Sequence, residues 1–197
     1  MYLVELLKTN GIQEIVILLG YKPEKVMDYF GDGSRFGVAI KYSVTPVEAE
    51  TSTRMRQAAD LLAEHFIMLY CDNYWPLNLA ELLNFHNAKN KSATVAVYDN
   101  HDRITKNNIH IDAHGAVKKY DASRQDPKLN GVEIGFFILP KNVLEILPPG
   151  NFPFEKSVLA ALIARQDLAG YLTNQRYYSI STIDKLRTAE KFLEKVR

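Results

Sequence analysis

Cysteine is nearly absent: Cys71 is the only one in 197 residues. No internal disulfide can form, and a reducing, cytoplasmic setting is the expectation. Charge of one sign is not in excess either. Lys and Arg number 24 against 23 Asp and Glu, a net charge of +1, and no basic tract is dense enough to track a nucleic acid. The apolar runs are too short to span a bilayer, so no membrane partner is expected. The histidines, His65, His86, His101, His110 and His114, match no zinc-ligand spacing. There is no Ser-His-Asp spacing, no nucleophile elbow and no P-loop. Gly31-Asp32-Gly33 follows a helical stretch instead of a strand. These absences leave a chain with 47% hydrophobic residues, enough for one good core.

The core pattern centres on Phe66-Ile67-Met68-Leu69-Tyr70-Cys71-Asp72, an apolar run closed by a carboxylate. Its shortness predicts a strand buried on both faces and central in a parallel sheet. Before it come a helix over 2–10, a strand over 14–19, a helix over 23–30, a strand over 38–43 and a helix over 54–62. After it come a helix over 78–89 and a strand over 93–98. Helices and strands alternating with short connections predict an α/β, three-layer Rossmann-like fold, its sheet mostly parallel with helices on both faces. Residues 99–131 are polar and turn-rich. They predict a small β-hairpin insertion, with strand pieces at 108–111 and 116–120 joined through Asp112-Ala113-His114-Gly115. A strand over 131–139, a short helix from Pro140, a helix over 154–164 and strands over 168–172 and 177–180 follow. Ser181 or Thr182 caps a last helix with Ile183, Leu186, Leu193 and Val196 inward. No linker or repeat interrupts the chain, which reads as a single domain over 1–197. Met1 to Lys8 lacks a basic n-region and a cleavage site. It reads as a helix already under way, and predicts that the natural protein extends upstream.

Few residues stand out for chemistry. Asp72 at a strand's carboxyl end lies where open α/β sheets bind ligands. It is a ligand for a hard cation such as Mg²⁺ or a strand-end cap, and position alone leaves both open. Cys71 without an adjacent base reads as a small buried hydrophobe rather than a nucleophile. Thr51-Ser52-Thr53-Arg54 enters a helix, where hydroxyls and free N–H groups meet a phosphate or a base edge, or where Thr51 or Thr53 simply caps. Glu155-Lys156 opens another helix, a placement that favours its dipole with or without a ligand.

Taken in order, these segments resemble the sugar-phosphate nucleotidyltransferases, almost end to end. Tyr2 to Leu7 with Gly11-Ile12 looks like the family's first helix and exit. Gly20-Tyr21, Tyr29-Phe30-Gly31 and Gly37-Val38 look like its next unit. Phe66 to Asp72 resembles the strand ending in Gly-Asp, with Cys71 in place of the Gly. Gly135-Phe136-Phe137-Ile138 resembles the strand after the sugar loop. Glu155-Lys156 with Val158-Leu159 resembles a helix start, and Tyr178-Ser179-Ile180-Ser181-Thr182 the late Asp-Ile-Gly-Thr segment. Within the family the chain looks most similar to the mannose- and heptose-1-phosphate guanylyltransferase branch.

The resemblance implies the nucleotide-diphospho-sugar transferase fold and a Mg²⁺-dependent reaction. A nucleoside triphosphate, GTP before others, and a sugar 1-phosphate give a nucleotide-sugar and pyrophosphate. By position it assigns Asp72 to Mg²⁺ and nucleotide, and Tyr21, Thr51, Ser52, Thr53 and Arg54 to the nucleotide. Glu133, Gly135, Glu155 and Lys156 fall to the sugar phosphate. A covalent intermediate is not implied, and a homo-oligomer is left open. Two departures stand out. The family's Gly-Gly-x-Gly-x-Arg-Leu signature should precede Tyr2 and is absent, which implies an N-terminally truncated chain of little activity. The open sheet position left by its strand should expose apolar surface. The family's late metal-binding Asp aligns with Ser179, a much weaker Mg²⁺ ligand. These departures keep a second reading in play, a non-catalytic nucleotide-sugar-binding or regulatory homologue.

Overall fold

The computed structural model describes residues 1–195. Val196, expected on the inward face of the last helix, lies outside them. The helices are α1 (Tyr2–Thr9), α2 (Pro23–Phe30), α3 (Thr51–Gln57), α4 (Leu79–Ala88), α5 (Val158–Ala164) and α6 (Ile183–Leu193). The strands are β1 (Glu14–Leu19), β2 (Ala39–Val44), β3 (His65–Leu69), β4 (Asn73–Tyr74), β5 (Ala93–Tyr98), β6 (Ile109–Ile111), β7 (Val117–Tyr120), β8 (Val132–Pro140), β9 (Leu168–Thr173) and β10 (Tyr178–Ser179). Two compact units divide the chain. One holds residues 1–66 and 139–165, the other 67–138 and the chain from 166 onward.

In the first unit β1 and β2 pair in parallel, Glu14 opposite Ala39 through Leu19 opposite Val44. Ile15 and Ile17 pack on a small core of Val4, Val38 and Ile40, with Phe30 and Phe36 beside it. Val26 and Phe30 of α2 are half-buried, whereas Met27 is exposed. β1 has β2 as its sole strand partner among the described residues, and Ile15, Val16, Ile17 and Leu18 stay half-exposed. Helix α3 starts at Thr51, ahead of the expected Arg54, and Glu50 takes the cap position instead of Thr51 or Thr53. The cause is non-local. The Asn151 side chain accepts from Glu50 N–H at 2.7 Å and donates to Glu48 C=O at 2.8 Å, fixing the loop where the helix begins. α3 then gives way to a 3-10 turn over Ala59–Leu61, and the helix expected from Pro140 is a 3-10 segment over Lys141–Ile146. The helix expected from Phe154 starts as a 3-10 turn and becomes α-helical at Val158.

The second unit carries the larger sheet, in the order β3-β8-β5-β9. β5 is buried along its whole length; it pairs in parallel with β9 and antiparallel with β8. β3, expected to be central and covered on both faces, is an edge strand of this sheet, and Phe66, Ile67 and Leu69 are half-exposed. With a strand on one side only, part of its apolar surface meets solvent. The hairpin β6–β7 forms where anticipated, closed by the Asp112 carboxylate, which accepts from His114 and Ala116 N–H at 2.9 Å each. Thr182 caps α6, accepting from Lys185 N–H. Of its expected inward residues, Leu193 is buried, but Ile183 is 70% and Leu186 40% exposed. Packing begins further along, where Phe192 stacks on Tyr178 at 4.0 Å between centroids.

Candidate functional site

In the second unit, backbone pairing gathers four of the expected residues. β3 runs into a turn at Cys71-Asp72, and β4 follows at once. β4 pairs antiparallel with β10, which sets Ser179 opposite Asn73, and Ile180 N–H donates to the Asp72 C=O at 2.9 Å. From the other side comes β8, irregular where Val97 pairs with Glu133 and Val95 with Phe137. At that irregularity Gly135 adopts φ +80°, and its C=O accepts from Tyr70 N–H at 3.0 Å. A Cβ on Gly135 would lie 2.9 Å from the Tyr70 ring. Only glycine combines that dihedral with that approach. The Glu133 carboxylate turns back to accept from Gly135 N–H, and Glu133 N–H donates to Asn108 Oδ1 at 2.8 Å. Asp72, Glu133, Gly135 and Ser179 therefore belong to one neighbourhood.

Their chemistry differs from residue to residue. The Asp72 side chain is exposed and makes no hydrogen bond or ion pair among the described residues. The Ser179 hydroxyl is engaged, donating to Ser181 Oγ at 3.0 Å and accepting from Ser181 N–H. No group of three or more His, Cys, Asp or Glu that could hold a metal exists among the described residues. The donor set is thus one free carboxylate. That fits a hard cation whose other ligands are phosphate and water, and no protein-only cage. Cys71 is exposed, contrary to expectation, because β3 stops at Leu69 and the turn carries it outward. Desolvation of the thiol, and then the Asp72 charge, push its pKa up, so it holds its proton.

The first unit places the remaining residues. Tyr21 is 70% exposed just past β1. Beside it, the Arg54 guanidinium donates to Leu19 C=O at 2.7 Å, Thr45 Oγ1 at 2.5 Å and Val47 C=O at 3.1 Å. A Cβ on Gly20 would lie 2.5 Å from that guanidinium. Ser52 is buried, its hydroxyl 2.5 Å from that of Ser157. Thr53 donates to Asn151 Oδ1 at 2.9 Å, and Thr51 is half-exposed as the first residue of α3. Glu155 is half-buried and Lys156 exposed, on the 3-10 turn just before Ser157. Arg54 and Ser52 thus bind the protein's own backbone and hydroxyls. Sequence reasoning passed over Asn151, Asn73 and Tyr70. Nothing local shows that Asn151 grips a loop 101 residues earlier.

A family model described as NTP_transferase, nucleotidyl transferase, matches residues 1–196. The chain belongs to the nucleotidyl transferase family. It is 28% identical to a probable glucose-1-phosphate cytidylyltransferase of Bacillus subtilis (strain 168), over 96% of this chain and 82% of that protein. It is 24% identical to a mannose-1-phosphate guanylyltransferase of Mycobacterium tuberculosis, over 92% of this chain and 52% of the other. Beyond the first of these, the chain spans about half the length of the curated relatives it matches. Among solved structures, HddC from Yersinia pseudotuberculosis complexed with GMP-PN superposes with a TM-score of 0.77 at 19% identity, covering 97% of this chain and 84% of that one. That likeness shows the fold, the Rossmann-like α/β type of the nucleotide-diphospho-sugar transferases. The family members are sugar-1-phosphate nucleotidyltransferases, and the resemblance stated from the residues is borne out.

Proposed function

We propose that this chain, acting as one domain in the cytoplasm, joins a nucleoside triphosphate to a sugar 1-phosphate, giving a nucleotide-sugar and pyrophosphate. The observation that carries the reading is the convergence of Asp72, Glu133, Gly135 and Ser179 in a member of this family. A sugar-phosphate oxygen attacks the α-phosphorus in line. The bond from the α-phosphorus to the bridging oxygen breaks, and pyrophosphate leaves with the electron pair. The chain's part is to position and to neutralise charge, with no covalent intermediate. Asp72 would hold Mg²⁺, which when bound would supply positive charge beside the phosphates. Glu133 and the Gly135 backbone orient the sugar hydroxyls. Within the first unit, Tyr21, Thr51 and Thr53 are the candidates for base and ribose contacts and Glu155 and Lys156 for the sugar phosphate, while Ser52 is buried against Ser157 and takes no part. GTP is the first candidate and CTP the comparison, since relatives of both kinds occur.

The glycine-rich triphosphate signature is not among these 197 residues, and among the described residues β1 pairs with β2 alone. Turnover by this polypeptide alone is therefore taken to be low, while binding persists. The engaged Ser179 hydroxyl favours a second reading, a nucleotide-sugar-binding homologue without turnover. Calorimetry with GTP, CTP and their nucleotide-sugars, with and without Mg²⁺, tests the first reading against Asp72→Asn. Mg²⁺-dependent binding weakened at least tenfold in the variant supports it. Absent binding, or binding indifferent to Asp72→Asn, sinks it. Pyrophosphate release from a chain carrying the glycine-rich segment at its N-terminus separates the two readings, because the second expects none.

A further inference from the structure

A separate cavity of about 260 Å³ opens in the second unit, lined by Lys89, Asn90, Lys91, His114, Gly115, Ala116 and Ala169. It shares no residue with the Asp72 neighbourhood. Lys91 lies just before β5, and Ala169 near the start of the parallel partner β9. The construction is specific. Gly115, Ala116 and Ala169 leave a floor without long side chains, held by the Ala116–Ala169 bridge and by Gly170 N–H donating to Gly115 C=O at 2.8 Å. Gly115 sits at φ +81°, and a Cβ there would stand 3.3 Å from Lys89 Nζ, taking room from the cavity.

Two ammonium groups border this floor, each in a solvent-exposed hydrogen bond. Lys89 Nζ donates to His114 C=O at 2.9 Å and lies over the Phe85 ring, while Lys91 Nζ donates to Gln166 C=O at 2.5 Å. Each ammonium carries three donors, so each has hydrogens beyond the one those carbonyls take. No carboxylate lines the cavity. The acids closest along the chain are engaged elsewhere: Asp112 with Lys118 and the hairpin turn, and Asp167 with Ser92. Two ammonium groups lining one cavity can each offer an anion a charge-assisted hydrogen bond.

We propose that this cavity is an anion site for a phosphate group, either free phosphate or the phosphate of a small ester, distinct from the nucleotide and sugar site. The proposal stands apart from the transferase reading. Its test is a titration of the ¹⁵N-labelled chain with inorganic phosphate and, separately, with glycerol 2-phosphate, at ionic strength held constant with sodium chloride. Saturable amide shifts at Gly115, Ala116 and Ala169 are expected, at least tenfold weaker in affinity in a Lys89→Gln/Lys91→Gln double variant whose remaining spectrum is unchanged. Saturation by phosphate alone identifies the free ion as the ligand; tighter saturation by glycerol 2-phosphate identifies an ester. No saturable shift at these amides overturns the proposal, as do shifts reproduced by chloride or undiminished in the double variant. Shifts confined to Asn73, Gly135 and Ile180 overturn it too, while leaving the nucleotide and sugar reading intact.

Discussion

At Arg54 the guanidinium reaches the Leu19 and Val47 carbonyls and the Thr45 hydroxyl, closing the end of β1 against the following loop. Lysine cannot reproduce that fork. Arg54→Lys should destabilise the chain by roughly 1–2 kcal/mol, the range for lost charge-assisted hydrogen bonds at a part-exposed site. The shift of the urea midpoint measures it. Asp72 behaves oppositely. Its side chain supports nothing in the fold, so Asp72→Asn should move the same midpoint by no more than about 0.5 kcal/mol while impairing Mg²⁺-dependent nucleotide binding. Gly135→Ala combines a disfavoured φ with a contact on the Tyr70 ring. A loss of about 2 kcal/mol is expected in denaturation, drawn from the usual cost of such backbone strain. At Cys71 the raised pKa slows alkylation. Iodoacetamide should react with it more slowly at pH 8 than with a free cysteine, although the residue is exposed.

Among the elements, β1 and β3 share a feature that β5 lacks. Each has a strand on one side only, and each keeps apolar side chains half-exposed. Their sequences are as apolar as that of β5, so composition alone could not tell an edge from an interior strand. The hairpin β6–β7 was legible for the converse reason. Asp112 to Gly115 is a local turn whose bonds span a few residues. Its acid response is equally local. The Ala116 N–H first, and then Lys118, hold the Asp112 carboxyl down at about 2, and the Ser123 hydroxyl does the same first for Asp121, also about 2. Both folded values lie below the ordinary 3.8. Their stabilisation is therefore complete above that value and lost as pH falls through about 2. The hairpin amides, followed by NMR from pH 5 to 1.5, should shift in that window and not above it.

For the molecule as a whole, the order of helices and strands and the family were readable from the residues, because apolar periodicity and turn chemistry act over short stretches. Asp72 was singled out by the same local logic, a carboxylate closing an apolar run, although the strand itself stops at Leu69. What the sequence by itself determined is this alternation, the hairpin, and the residue types available for phosphate and sugar chemistry. Tertiary structure alone decided that β3 is an edge strand and that α3 starts at Thr51 under the grip of Asn151. It also decided that Arg54 and Ser52 serve the fold, while Asp72, Glu133, Gly135 and Ser179 share one neighbourhood. Those outcomes depend on hydrogen bonds and strand pairings between residues far apart along the chain, and no local pattern encodes which partner each will find.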